Sequence, residues 1–195
     1  IVALTLISIV LGSNLLWYST FEGMMPHAIS FSCWCVCMYT FFQWLKTENK
    51  KYFFTFAIVF GLIVLIRPLS LIGILYFLIY AVISKGGIKK IIGFIKAKLS
   101  TVLIAALLSC LIASLQFCYW KYVTGHWLYD VYIDEHFVFD NPQIIPFFFS
   151  FRKGLFIYTP ILLFALIGLI RLFQTNRALF YGTLITLALS IYILS

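Results

Sequence analysis

The side chains best suited to chemistry lie in one polar stretch, from about residue 121 to 154. It contains four of the six acidic residues and two of the three histidines, namely Asp130, Asp134, Glu135, Asp140, His126 and His136. Carboxylates and imidazoles act as acids and bases or coordinate hard cations. Their spacing here matches no recognised metal motif, so we predict no cofactor and leave a divalent metal as an alternative. A simpler interpretation of this stretch is a polar loop whose side chains are solvated and whose aromatic residues lie at the membrane interface.

A second group of candidates is cationic. Arginine binds phosphate through two parallel hydrogen bonds, and lysine adds a compact charge, so Arg67, Arg152 and Lys153 are candidates for a lipid phosphate. The same residues also suit interfacial anchors or a snorkelling helix cap. Glu22 and His27 flank a shorter polar turn and are further candidates. The alternative is that this is an ordinary polar turn before a helix that begins near Pro26.

The composition indicates the class of fold to which these side chains belong. Hydrophobic residues make up 64% of the 195 and charged residues 10%, with a mean hydropathy of +1.07. A soluble domain carries about 25% charged residues, so a water-soluble fold is excluded. The apolar runs are long and lack the alternation of a membrane barrel. The sequence therefore predicts an all-α, polytopic transmembrane helical bundle.

About seven apolar segments are long enough to be membrane segments. They cover approximately residues 1–18, 28–45, 53–66, 69–83, 99–120, 155–170 and 178–194. The third and fourth are separated only by Arg67-Pro68, which we interpret as the tip of a helical hairpin. Proline cannot donate to a helix and disfavours helical geometry in the residue before it.

Lysine and arginine positions predict the orientation. Basic loops at about 46–52, 85–98 and 171–177 fall on one side if the segments alternate in direction, and the positive-inside rule makes that side cytoplasmic. The Arg67-Pro68 hinge and the loop at about 121–154 then lie outside. Residues 88–99 mix lysine with isoleucine and phenylalanine, which predicts an interfacial amphipathic segment. We expect one transmembrane domain over residues 1–195, as a fragment of a longer protein, because both ends lie within apolar runs.

Three motifs resemble a family of bacterial membrane glycosyltransferases with the GT-C fold. Residues 147–160, FFFSFRKGLFIYTP, are similar to a signature of serine, arginine, Gly-Leu-Phe, an aromatic residue and Thr-Pro. Residues 61–70, GLIVLIRPLS, resemble a Gly-Leu…Arg-Pro hairpin, and residues 14–27 resemble a segment that precedes it. The family includes protein O-mannosyltransferases and aminoarabinose lipid A transferases.

The resemblance implies a hexosyl or pentosyl transferase in the bacterial inner membrane. It would take sugar from a polyprenyl-phosphate carrier on the external face and transfer it to a lipid, glycan or protein. The family's catalytic aspartate is expected upstream, so no catalytic residue is assigned and this chain alone is expected to be inactive. Arg67, Arg152 and Lys153 would face the carrier phosphate. The candidates for the sugar and acceptor site are Glu22, His27, His126, Trp127, Asp130, Asp134, Glu135, His136 and Asp140.

Two other classes remain open. A transporter or flippase for a lipid-linked substrate would need polar residues or broken helices near the middle of the membrane. A non-catalytic membrane subunit or fragment needs no site at all. The expected partners are the lipid-linked donor and membrane lipids. Nucleic acid is excluded because no soluble domain presents the net charge of +8 as a binding surface.

Overall fold

A computed structural model describes residues 2–22, 25–129, 142–152 and 154–195. Within these ranges every regular element is helical, as the composition predicts. The chain forms two compact units. The first unit comprises Ile1–Ala28, Leu75–Ser84 and Phe137–Ser195, and the second comprises Ile29–Ile74 and Lys85–His136.

Eleven α-helices and one short 3-10 helix occupy the described residues. In order they are α1 Val2–Gly12, α2 Leu15–Thr20, α3 His27–Thr47, α4 Lys50–Ile66, the 3-10 helix Pro68–Gly73, α5 Ile74–Ser84, α6 Ile88–Ala97, α7 Leu99–Thr124, α8 Ile144–Phe149, α9 Leu155–Tyr158, α10 Leu162–Thr175 and α11 Arg177–Leu194. Three of them, α3, α7 and α11, are long and apolar enough to cross a membrane, or four spans result if Pro68–Ser84 and Ile88–Ala97 together count as one broken span.

Two predicted segments are interrupted. The segment at about 1–18 breaks between α1 and α2, where the Ser13 hydroxyl donates to the Ile9 carbonyl at 2.6 Å and accepts from the Leu15 amide at 3.3 Å. Such local bonds compete with the helical ladder. The segment at about 155–170 breaks at Thr159-Pro160, because proline has no amide to donate. Each of these two apolar stretches therefore contains two helices.

The second unit is built on close packing of α4 against α7. The Ser109 hydroxyl donates to the Ala57 carbonyl at 2.6 Å. One turn further along α4, a β-carbon on Gly61 would lie 2.9 Å from the Ser109 carbonyl oxygen and 3.2 Å from Cβ of Ile112. Ala57 contacts Ser109, and the later residue Gly61 approaches the later residue Ile112, so α4 and α7 run in the same direction. The absence of a side chain at Gly61 permits this close approach.

Aromatic side chains fill the space between α3 and α4. The Trp44 ring stacks on Phe53 with centroids 4.3 Å apart, and Phe41 lies 5.6 Å from Phe56. Phe41, Trp44 and Phe56 are all buried. Phe94 of α6 packs against the same Trp44 ring at 5.6 Å, so one aromatic cluster fixes α3, α4 and α6 within this unit.

A salt bridge joins the two basic segments of the second unit. The Lys98 ammonium, at the start of α7, donates to the Glu48 carboxylate in the turn between α3 and α4. This contact places the beginnings of α4 and α7 at the same end of the unit. The lysines around residues 46–52 and 85–98 consequently lie near that end of the unit.

The same contact makes the stability of this end depend on pH. The hydrogen bond from Lys98, with the charges of Lys98 and Lys85, holds the pKa of Glu48 below its usual range. A lowered folded-state pKa contributes stability that is complete above the unfolded pKa and disappears as the pH falls through the folded pKa. We expect Glu48→Gln to lower the unfolding temperature slightly near neutral pH, because the pair is exposed. The two proteins should converge once the pH falls below the folded pKa. A difference that persists in acid would contradict this.

In the first unit α10 packs against α11. Phe173 and Phe180 lie 5.0 Å apart, and the Asn176 side chain caps α11 by accepting from the Leu179 amide at 3.1 Å. The Gln143 amide donates to the Ser195 carbonyl at 2.9 Å. This bond fixes the start of α8 to the end of α11 and so holds the segment that follows α8.

Candidate functional site

Ser150, Arg152 and Gly154, which belong to the motif at residues 147–160, contribute to a tight turn between α8 and α9. The Ser150 amide donates to the Pro146 carbonyl at 2.9 Å, and the Gly154 amide donates back to the Ser150 carbonyl at 2.7 Å. The Arg152 amide donates to the Ser150 hydroxyl at 3.2 Å. Serine two residues before the donating amide is a standard side-chain turn. Ser150 therefore organises the backbone on which Arg152 stands.

Glycine is needed at position 154 for space. A β-carbon there would lie 2.5 Å from both the amide nitrogen and the carbonyl oxygen of Ser150. The backbone φ of −66° is one that any residue adopts. Gly154 is buried, and the turn closes on it directly. This gives a steric reason for the glycine in the Gly-Leu-Phe part of the motif.

Phenylalanine rings hold α9 against α8. Phe148 and Phe156 are stacked, with centroids 5.1 Å apart and ring planes inclined by 13°. Phe149 lies 5.7 Å from the same Phe156 ring. Offset aromatic pairs contribute about 0.5–1.5 kcal/mol beyond the area they bury. The aromatic run of the motif therefore fixes the two short helices on either side of the turn.

Arg152 is one of the residues that line an open cleft beside this turn. The cleft has a volume of about 460 Å³ and is lined by Ile145, Pro146, Phe149, Ser150, Phe151 and Arg152. Its walls are mainly apolar, and its polar groups come from Ser150 and Arg152. A size in this range fits part of a small ligand. The arrangement suits a ligand that joins an apolar body to an anionic group, since the guanidinium offers paired donors to an anion.

A tyrosine bridges the turn. The Tyr158 hydroxyl donates to the Phe151 carbonyl at 3.2 Å, next to Arg152. We expect Tyr158→Phe to lower the local stability of the turn by at most about 0.5–1.5 kcal/mol, the usual net contribution of one hydrogen bond. Hydrogen exchange should become faster in a peptide covering residues 147–160. Tyr122→Phe, at a tyrosine that is 90% exposed, is the control. Equal effects in both variants would contradict a role for the Tyr158 hydroxyl.

Arg67 lies in the second unit, at the end of α4. Its backbone is extended, with φ −143° and ψ 101°, and Pro68 begins the 3-10 helix that follows. The side chain is exposed. The predicted break at Arg67-Pro68 is thus confirmed. Since α4 has 17 residues, or about 26 Å at 1.5 Å per residue, Arg67 and the lysines that begin α4, Lys50 and Lys51, lie at opposite ends of one helix.

Glu22 and His27 flank the turn between α2 and α3 in the first unit. Glu22 is exposed and its carbonyl accepts from the Met25 amide at 2.8 Å. The His27 ring lies 4.4 Å from the Tyr18 ring and is half-buried at the first position of α3. The structure therefore gives His27 a packing contact, whereas the Glu22 carboxylate faces solvent.

His126 and Trp127 follow the end of α7 in the second unit. Gly125 ends the helix in the left-handed conformation, with φ 78°, and the Lys121 ammonium donates to its carbonyl at 2.7 Å. The same ammonium lies 5.8 Å from the Trp127 ring. Trp127 is 60% exposed, so much of its indole is accessible to solvent. An exposed indole suits stacking against a sugar ring.

Six candidates lie outside the described residues, namely Asp130, Asp134, Glu135, His136, Asp140 and Lys153. Their predicted roles therefore stay predictions. Among the residues that the structure does describe, no three His, Cys, Asp or Glu side chains come together in a group that could hold a metal ion.

Sequence reasoning missed two residues of this site, Ser150 and Tyr158. Both lie within the motif at residues 147–160, which by itself indicates no function for either of them. The two-residue spacing from Ser150 to Arg152 is a sequence signal for a side-chain turn and could have identified Ser150. The bond from Tyr158 to Phe151 depends on how α9 folds back, which no local pattern reveals.

No protein-family model, curated protein or solved structure matches this chain significantly.

Proposed function

We propose that the full-length protein is a membrane glycosyltransferase that uses a polyprenyl-phosphate-linked sugar. The observation that carries the proposal is that Arg152 lines a mainly apolar cleft of about 460 Å³. An isoprenoid phosphate combines an apolar chain with an anionic group, which is the chemistry that this cleft fits. The motif that supplies Arg152 is also the one that most closely resembles the transferase signature.

In the proposed reaction the acceptor hydroxyl oxygen forms a bond to the anomeric carbon of the sugar. The bond from that carbon to the phosphate oxygen breaks, with inversion, and the electron pair leaves with the polyprenyl phosphate. A carboxylate upstream of this chain takes the acceptor proton. The role of Arg152 is to stabilise the negative charge that grows on the leaving phosphate, as preorganised cations do. Arg67 is a second candidate for this role, in the other unit.

The proposal places the site on the external face of the bacterial inner membrane. In this proposal about seven membrane segments form a GT-C-like arrangement. The loop at about 121–154 is external, and the cytoplasmic basic loops are at about 46–52, 85–98 and 171–177. The shared end of α4 and α7, with lysines in both adjoining segments, supports a common side for the first two basic loops. Exposed Trp127 supports a sugar-stacking role for the external loop.

The test uses membranes that contain the full-length protein, extended upstream from the native gene. Radiolabelled polyprenyl-phosphate sugars are added and transfer of the label is measured. We expect Arg152→Ala to reduce transfer on the order of 100-fold, as loss of one charge-stabilising group typically does. Arg67→Ala is assayed separately. Arg171→Ala is the matched control, because Arg171 is an exposed arginine of the same unit as Arg152 but lies in a predicted cytoplasmic loop.

A transporter for a lipid-linked substrate has one observation in its favour. Apolar stretches are interrupted at Ser13-Asn14, at Arg67-Pro68 and at Thr159-Pro160, and broken helices are common at transporter sites. Movement of labelled lipid between leaflets without label transfer would favour this class.

The Arg152 test has its own contradicting outcome. Sugar transfer that is reduced equally by Arg152→Ala and Arg171→Ala would return Arg152 to the role of an interfacial anchor.

A further inference from the structure

Helix α6, Ile88–Ala97, is too short to cross a membrane. Its 10 residues span about 15 Å, half of the hydrocarbon thickness of roughly 30 Å. Gly86 and Gly87 precede it with φ values of 80° and 119°, which side chains other than glycine rarely adopt. Leu99 begins the long apolar helix α7 directly after it. The segment is therefore a separate helix next to the end of a candidate membrane span.

One face of α6 is committed to the protein. The Phe94 ring packs against Trp44 at 5.6 Å. The ammonium groups of Lys85 and Lys98 each lie 4.9 Å from the centroid of the same ring, a distance at which cations are attracted to aromatic faces. These contacts fix the rotation of α6 about its axis, and so determine which side chains point away from the unit.

The opposite face is apolar and open. Ile88 and Ile92 are 64% and 47% exposed, and helical geometry places them about 120–160° around the axis from Phe94. Lys89 and Lys96 are exposed and flank this pair on one side. Lys90 lies elsewhere, with its ammonium nitrogen 3.2 Å from the position that a β-carbon on Gly86 would occupy. The face thus combines an isoleucine pair with two particular lysines.

Within the part of the chain that the structure describes, most of the positive charge around this face has no salt-bridge partner. Residues 85–98 contain five lysines and no acidic residue. Among the described acidic residues, the one in a salt bridge with these lysines is Glu48, which is engaged by Lys98. An exposed apolar strip flanked by lysines, beside the start of an apolar helix, is complementary to an anionic lipid leaflet. A soluble anion would leave the isoleucines in water.

We propose that α6 is a docking helix for anionic phospholipid. Ile88 and Ile92 insert among the acyl chains, and the ammonium groups of Lys89 and Lys96 bind lipid phosphates. Phe94 holds the helix to Trp44 so that this face meets the leaflet. The proposal does not depend on the proposed transferase activity, since it concerns the lipid around the protein and is tested without a sugar donor.

The test reconstitutes the full chain in nanodiscs of phosphatidylcholine alone or with added phosphatidylglycerol. Hydrogen exchange is measured by mass spectrometry in a peptide covering residues 86–98. We expect phosphatidylglycerol to slow exchange in this peptide. The double variant Lys89→Gln/Lys96→Gln should lose this protection, since each lysine near an anionic surface contributes roughly a fivefold factor and the pair roughly 25-fold. Ile88→Asn/Ile92→Asn should lose it as well.

The matched control is Lys50→Gln/Lys90→Gln, which removes the same charge from the same end of the unit. Protection retained in this control supports a seated helix. Equal loss in both lysine pairs would overturn the proposal in favour of a diffuse charge effect. Exchange that is the same in both lipids, or that slows equally with soluble glycerophosphate in phosphatidylcholine discs, would also overturn it. Unfolding temperatures near the parent value confirm that each variant is folded.

Discussion

Replacing Gly61 should strongly destabilise the second unit. A β-carbon at this position would lie 2.9 Å from the Ser109 carbonyl oxygen and 3.0 Å from the Ser109 α-carbon. Both are backbone atoms of α7, so no side chain can rotate away and the helices must separate. Overpacking of this kind costs about 1–3 kcal/mol, and we expect Gly61→Ala to fall in that range. Gly61→Leu should cost more, because its larger side chain enters the same interface.

Separation of α4 from α7 would also break the bond from the Ser109 hydroxyl to the Ala57 carbonyl at 2.6 Å. The measurement is thermal unfolding in detergent, followed by the fraction that stays monodisperse after heating. Hydrogen exchange along α4 and α7 provides a local measure. The order of stability should be parent, then Gly61→Ala, then Gly61→Leu.

Gly93→Ala is the matched control. Gly93 also lies within a helix, but a β-carbon there would meet no atom within 4 Å. Alanine is favoured over glycine in helices by about 1 kcal/mol, so this variant should be as stable as the parent or slightly more so. Gly61→Ala gains the same helical preference, and its net loss therefore isolates the contact with α7. Equal stability of the two variants would contradict the close packing of α4 on α7.

The contrast at Gly61 shows which parts of the fold local sequence can predict. Composition and apolar runs predicted the helical class, and α3 and α11 begin and end within two residues of the predicted segments at about 28–45 and 178–194. The break at Arg67-Pro68 was predictable because proline acts on its own neighbours. The break after α1 was not, since it depends on where the Ser13 hydroxyl bonds.

Contacts between distant residues were beyond sequence reasoning. Glu48 and Lys98 are separated by 50 positions, and only the parallel packing of α4 and α7 brings them together. Within the site, the motif indicated Arg152 but not the turn that presents it. That turn depends on bonds made through Ser150 and on the space at Gly154. Local patterns identified residue types, whereas packing determined which of them meet.

Replacing Gly154 should disrupt the candidate site without unfolding the protein. A β-carbon there would lie 2.5 Å from the Ser150 amide nitrogen and carbonyl oxygen, so Gly154→Ala must open the turn. The bond from the Gly154 amide to the Ser150 carbonyl, 2.7 Å long, would be lost or lengthened. A cost of about 1–3 kcal/mol corresponds to hydrogen exchange roughly 5- to 150-fold faster in a peptide covering residues 147–160.

Gly168→Ala separates this local effect from a general one. Gly168 lies in α10 of the same unit, and a β-carbon there would meet no atom within 4 Å. We expect this control to exchange like the parent in residues 147–160 and to transfer label normally in the full-length protein. Gly154→Ala should instead lose transfer together with local protection, because the Arg152 backbone is bonded to Ser150 in the turn that the new methyl group opens.

The outcomes at Gly154 are distinguishable. If the turn opens and sugar transfer is unchanged, Arg152 does not act from this geometry and the cleft is not the phosphate site. If the turn stays closed, the steric role of Gly154 is wrong, whatever the activity. A joint loss that Gly168→Ala does not share connects the motif to catalysis through one backbone contact.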